Sequence, residues 1–278
     1  VEILAISRNS AQICHQKGKD ETIHDYDLHD IYESVVARAG GAEIDISTRP
    51  AAQGKLRVFV LPFTYVDPGW LETFDEYSEQ TNTILDNMHR FMMINPKMRF
   101  MWAEIVFFER WWKDQEEEVK KYVRELVSSG RLEFTSGSWV MTDKANVYFP
   151  VSVDNIVEGH QFIQKEFGKL PTVVWSNDPF GYSNSIPYLF TQAGMNRTVI
   201  HRIHHGIKRH LQNQRAIPFQ WKQYFDDSSM LTHVLPYSHY DHLHSCGPDP
   251  KVCCQFDFRR INRWECPGLR PVPSLTGM

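Results

Sequence analysis

Two carboxylates, Asp67 and Asp178, stand in turns of the same build: Val66-Asp67-Pro68-Gly69-Trp70 and Asn177-Asp178-Pro179-Phe180-Gly181. Each turn follows a short apolar, β-branched run, Leu56 to Leu61 in the first case and Thr172 to Trp175 in the second. The proline and glycine forbid either run from continuing as a strand, so both carboxylates belong at strand C-termini. Neighbouring parallel strands that release carboxylates at the same end bring them into one crevice, where open α/β sheets and (β/α) barrels place ligands. Paired carboxylates in that position suit a metal ion or acid–base chemistry. Taken singly, an Asp before Pro reads equally well as the N-cap of the next helix.

The elements that must position them alternate from Lys55 onward. Apolar residues at Phe74, Tyr77, Ile84, Leu85, Met88, Phe91 and Met92 recur with helical spacing until Asn95-Pro96 ends them. The aromatic-rich run from Arg99 to Phe108 predicts a buried strand, and Glu109 to Ser129 predicts one charged amphipathic helix stopped by Gly130. A strand over Leu132 to Val140, a helix over Val151 to Phe167 closed by Gly168, the strand leading to Asp178, a short helix over Ser185 to Ala193 and a strand over Thr198 to Ile200 follow. That order predicts an α/β domain with a parallel sheet. Asp67, Trp70, Trp139, Asp143, Asp178, His201 and Arg202 then fall at one rim, with Glu104 buried inside its strand and away from that mouth.

Composition narrows the function classes. The 278-residue chain is 42% hydrophobic and 13% aromatic, enough for one large core, and its formal net charge of -4 carries no basic concentration. Nucleic acid is therefore an unsuitable partner, whereas small polar or carbohydrate ligands fit. The 8 Trp and 11 Tyr suit a sugar-binding cleft, although packing accounts for most such rings. No apolar run reaches the roughly 18 residues of a membrane span. The first 54 residues, punctuated by Gly40-Gly41 and Pro50, read as a stem or linker.

The chain opens on Val1 without a signal-like segment, which fits a processed or partial chain, or a cytosolic one. The cysteines favour the former. Cys246, Cys253, Cys254 and Cys266 crowd one turn-rich region, with Cys14 alone upstream. Four such cysteines make either a zinc cluster or two small disulfide loops, and the adjacent pair Cys253-Cys254 strains ligation by both sulfurs. The sequon Asn196-Arg197-Thr198 is consistent with a secretory compartment. Two histidine tracts, around His201 to His205 and His239 to His244, have metal-like spacing but read more easily as polar loops at strand ends.

Taken together, the Asp67-Pro68-Gly69-Trp70 turn, Trp102-Ala103-Glu104, Trp139 to Asn146, the Asp178-Pro179-Phe180-Gly181 turn and the block from Cys246 to Phe258 resemble the N-terminal domain of glycoside hydrolase family 38. The last block is similar to the Golgi α-mannosidase II branch. The resemblance runs from about Lys55 to Cys266, leaving 267–278 as a divergent tail. It implies a parallel (β/α) barrel-like domain, truncated on its C-terminal side, and a retaining, zinc-dependent α-mannosidase that trims mannose-containing N-glycans in the Golgi lumen of the secretory pathway. It further implies that Asp178 is the nucleophile and, with Asp67, a zinc ligand; that Trp70, Arg202, Tyr240 and Asp241 line the mannose pocket; and that Cys246 pairs with Cys253 and Cys254 with Cys266.

The chain departs from the family pattern where that chemistry is concentrated. Pro62-Phe63-Thr64-Tyr65-Val66-Asp67 puts Tyr65 where the family has a ligating histidine, and a phenol is a poor zinc ligand at neutral pH. Lys144 replaces an acidic residue beside the pocket, and the chain ends at Met278 before the segment that supplies the family's general acid and last histidine ligand. The alternative expectation is thus a truncated, catalytically inactive homologue that at most binds mannosides.

Overall fold

The computed structural model describes residues 61–143, 148–214, 216–223, 228–235 and 240. The expected stem, nearly all of the strand over 56–61, Lys144, Asp241 and all five cysteines lie outside the described residues.

Helix α1, Phe74–Ile94, starts at a reciprocal cap: the Thr73 hydroxyl accepts from the Glu76 amide, and the Glu76 carboxylate takes the Thr73 amide at 2.8 Å. Asn95 closes the other end. Its buried stripe is Ser78, Thr81, Leu85, Met88 and Met92, spaced three and four apart. Ile84 and Phe91, read from the sequence as part of that stripe, face outward at 38% and 49% exposure.

Strands β1, Phe100–Trp102, and β2, Leu132–Phe134, pair in parallel. Between them run two helices, α2, Ile105–Lys113, and α3, Glu117–Ser128. The strand expected over Arg99 to Phe108 therefore ends at Trp102, and the single helix expected from Glu109 is two. A helix buried on most sides is apolar on most sides, so its sequence resembles a buried strand, and periodicity alone does not separate the two. The break falls at Asp114, whose amide turns back to the Trp111 carbonyl at 3.3 Å. Ile105, Phe107, Phe108, Trp111 and Trp112 are all buried, with Phe108 edge-on to Phe134 at 4.8 Å between ring centroids. Helix α4, Phe149–Phe167, closes this core with Ile163, and Gly168 caps it at a φ of 65°.

The second sheet has the order β3-β4-β6-β5. Strands β3, Val173–Ser176, β4, Arg197–Ile200, and β6, Ser229–Val234, are parallel; β5, Pro218–Lys222, runs antiparallel to β6 at the edge. Helix α5, Ser185–Gln192, covers one face through Phe190, packed with Ile156, Val174, Met195 and Met230. Helix α6, His205–Gln214, packs Ile207 and Leu211 against Ile200, Val234 and Tyr182. Its first residue, His205, is the last of the tract read from the sequence as a polar loop.

One residue joins the sheets. The Ser136 amide donates to the Val173 carbonyl at 2.8 Å, and its hydroxyl both accepts from the Trp175 amide and donates to the Trp175 carbonyl. Among the described residues the strands thus form two small open sheets in an α/β arrangement. The expected barrel-like arrangement is not confirmed among the described residues, and its all-parallel sheet is corrected by β5, which is antiparallel. Among the described residues, no helix is long and apolar enough to cross a membrane.

Candidate active site

The first turn is anchored from below. The Met101 amide donates to the Pro62 carbonyl at 3.0 Å, and the Ala103 amide to the Thr64 hydroxyl at 3.4 Å, which seats this segment beside β1. The Thr64 hydroxyl in turn donates to Oε2 of Glu104 at 3.3 Å. Phe63 meets Trp175 of β3, fixing the first turn against the strand that carries the second. Gly69 then bends the chain at a φ of 112°, its amide returning to the Asp67 carbonyl at 2.8 Å. The second turn is held from behind by Tyr182, whose hydroxyl donates to the Ser176 carbonyl at 2.9 Å and accepts from the His201 amide at 3.3 Å.

These anchors bring Asp67, Asp178, Arg202 and Tyr240 together. The Tyr65 hydroxyl lies 2.8 Å from Oδ1 of Asp67 and 2.6 Å from Oδ2 of Asp178. Tyr240 donates to Oδ1 of Asp178 at 2.8 Å, and the Arg202 guanidinium forms an ion pair with the same oxygen. Tyr240 stands edge-on to both Tyr65, at 5.8 Å, and His201, at 5.5 Å. The Arg202 guanidinium also stacks over Phe180 at 5.2 Å.

The electrostatics separate the two aspartates. Burial opposes the charge of Asp178, but the Tyr65 and Tyr240 hydroxyls and the Arg202 guanidinium outweigh it and hold the carboxyl below its ordinary value. Asp67 is pushed upward, mainly by burial, with the nearby charges of Asp178 and Asp143 adding to the effect and the Tyr65 hydrogen bond opposing it. Tyr65 is driven upward by burial and by hydrogen bonds to both carboxylates, so it is a neutral phenol. Asp178 is accordingly the ionised, donor-surrounded carboxylate, chemically suited to attack on an electron-poor carbon.

Trp70 stands on the first turn at 73% exposure. Asp241 and the cysteines fall outside the described residues, so neither the last pocket residue nor the expected disulfides are placed. Glu104 corrects the sequence reading. It is the N-cap of α2 rather than part of a strand, is 1% exposed, and lies under the first turn rather than away from it. Burial pushes its carboxyl up to about 8, against hydrogen bonds from its own amide, the Val66 amide and the Thr64 hydroxyl, with Asp67 adding to the rise. The helical spacing of Ile105, Phe108 and Trp112 was the signal that could have placed Glu104 at a helix start. Tyr182 and His201 are further supports whose partners are distant in sequence.

The zinc expected from the resemblance does not fit these residues. A zinc site requires three or more protein ligands, whereas among the described residues this one offers two carboxylates with a neutral phenol between them. Among the described residues, no group of three or more His, Cys, Asp or Glu is placed to hold a metal ion, the tract at His201 to His205 included. A cavity of about 220 Å³ does exist, lined by Val174, Ser176, Ile186, Phe190 and Met230 beneath α5. Asp67 and Asp178 are not among its lining residues, so the candidate chemistry lies outside it.

Residues 55–263 match the family model described as the glycosyl hydrolases family 38 N-terminal domain. The chain is 40% identical over 242 residues to alpha-mannosidase 2x of Mus musculus, covering 85% of this chain and 21% of that protein. It is 41% identical over 231 residues to alpha-mannosidase 2 of Drosophila melanogaster, covering 81% of this chain and 21% of that one. Human alpha-mannosidase 2 is 38% identical over 226 residues, covering 79% and 20% respectively. The chain thus spans about a fifth of the length of these relatives. A crystal structure of an alpha-mannosidase from Enterococcus faecalis V583 superposes with a TM-score of 0.52 at 16% identity, over 63% of this chain and 20% of that one, a likeness of fold.

Proposed function

The chain belongs to glycoside hydrolase family 38, and on that premise we propose that it carries the mannoside-binding and nucleophile-bearing part of an α-mannosidase site. The observation behind this reading is the convergence of two phenols and a guanidinium on Asp178, with Asp67 across from it. In the retaining reaction, a carboxylate oxygen of Asp178 forms a bond to the anomeric carbon as the bond to the leaving oxygen breaks. A second carboxylic acid, about 5 Å away across the scissile bond, delivers the proton to that oxygen. Arg202 and Tyr240 hold the Asp178 carboxylate in place, and exposed Trp70 offers an aromatic face to a sugar. The substrate class proposed is the mannose-terminated N-glycan, met in the Golgi lumen.

A second reading, mannoside binding without turnover, is favoured by the Tyr65 hydroxyl lying on the Asp178 oxygen at 2.6 Å. An activated aryl α-mannoside assay, with and without added zinc and beside an Asp178→Asn control, decides between them. Turnover in the parent and none in the control supports the hydrolase. Methyl α-mannoside binding without turnover supports the binding protein, and absence of both refutes mannoside recognition altogether.

A further inference from the structure

The Tyr65 hydroxyl touches one oxygen of Asp67 and one of Asp178, which is where a cation bridging the two carboxylates would have to sit. We propose that this hydroxyl stands in for the metal itself: it is the bridge that holds Asp67 and Asp178 together, and the site takes neutral polyol ligands without a divalent cation.

Three observations carry this. Two neighbouring carboxylates repel unless something positive or proton-bearing lies between them, and the Tyr65 hydroxyl, whose single proton serves one carboxylate at a time, lies within hydrogen-bonding reach of both. The remaining oxygen of Asp178 is occupied by Tyr240 and Arg202, so both of its oxygens already have donors. A zinc ion needs carboxylate oxygens at about 2.0–2.2 Å, and at that range from both groups it would collide with the phenol oxygen or require a phenolate. The edge-on Tyr240 ring, tilted 72° to that of Tyr65, packs against the displacement that would make room. The inference rests on side-chain geometry and holds whichever glycoside the site accepts.

The test is zinc uptake by the full chain, read by elemental analysis after dialysis and by near-ultraviolet tyrosine absorbance during titration with zinc chloride. The unmodified chain is expected to retain no stoichiometric zinc and to show no zinc-dependent tyrosine signal. Tyr65→Phe, which keeps the ring and removes the hydroxyl, is expected to bind zinc about tenfold more tightly, equal to about 1.4 kcal/mol. One zinc per unmodified chain, a tyrosinate band that rises with zinc, or a folded Tyr65→Phe chain without gain in affinity overturns the proposal. Should Tyr65→Phe fail to fold, the titration of the unmodified chain decides alone. Calorimetry with methyl α-mannoside, with and without EDTA, separates this from the functional reading. EDTA-insensitive binding supports both, EDTA-sensitive binding overturns the metal-free bridge, and no binding refutes only the mannoside assignment.

Discussion

The Phe63 ring lies 4.8 Å from that of Trp175, tilted by 50°, so the chain leading into the first turn rests directly on the strand that carries Asp178. The contact between these two aromatic side chains holds the turn carrying Asp67 beside the turn carrying Asp178. Phe63→Ala should cost about 2–4 kcal/mol in chemical denaturation and weaken methyl α-mannoside binding as well. A loss of stability with affinity unchanged would show that the contact packs the core without positioning the turns.

Glu104 should make stability fall as pH rises. Its folded-state carboxyl, pushed up to about 8 from an ordinary 4.5, keeps its proton where the unfolded chain has already lost it. The folded state therefore binds more protons between those values, and the free energy of unfolding declines through that window by at most about 1.4 kcal/mol per pH unit, levelling off above it. Glu104→Gln should flatten this decline. Urea denaturation of both chains from pH 5 to about pH 8 is the check, and parallel curves would refute the assignment.

Gly159 of α4 sits where a methyl group cannot. A Cβ there would lie 2.0 Å from the Gly137 carbonyl oxygen and 2.8 Å from the Ser138 carbonyl carbon, both of them backbone. Gly159→Ala should destabilise by about 3 kcal/mol or prevent folding, more than an exposed helical Gly→Ala, which stabilises by up to about 1 kcal/mol. A thermal melt within a degree or so of the parent would mean that α4 shifts freely.

Arg202 should matter more to ligand than to fold. Its side chain is 43% exposed, so solvent screens its ion pair with Asp178 and Arg202→Leu should change stability by about 1 kcal/mol or less. The same change removes the cation facing Asp178, and mannoside affinity should drop about tenfold or more. Calorimetry beside a denaturation curve reads both effects. A large stability loss with intact binding would reverse the assignment.

Much of the frame was legible before the coordinates. The apolar spacing from Phe74 announces α1, Gly168 ends α4, and the Asp178-Pro179 turn marks the end of β3, whereas the strand expected before Asp67 lies almost wholly outside the described residues. The boundary at Trp102 was missed because Ile105 to Trp112 is so rich in large apolar residues that the helical spacing of Ile105, Phe108 and Trp112 is hard to separate from a buried strand. Helix α6 escaped because His205 to Gln214 reads as polar until Ile207 and Leu211 are seen against Val234. For Tyr65, the sequence revealed an exchanged side chain but not its bridging contact, which spans 113 residues to Asp178. Such a contact depends on tertiary packing and leaves no local pattern to read.

Ser136 carries a consequence for how the domain comes apart. Its hydroxyl serves as both donor and acceptor for Trp175 and its amide donates to the Val173 carbonyl, so backbone and side chain of one residue, held at a φ of 56°, tie the end of β2 to β3. Proteins open in contiguous cooperative units, and a junction of this kind favours the two segments opening as one of them. The half bearing Tyr65 and Asp67 and the half bearing Asp178 and Arg202 are then expected to be lost and regained together.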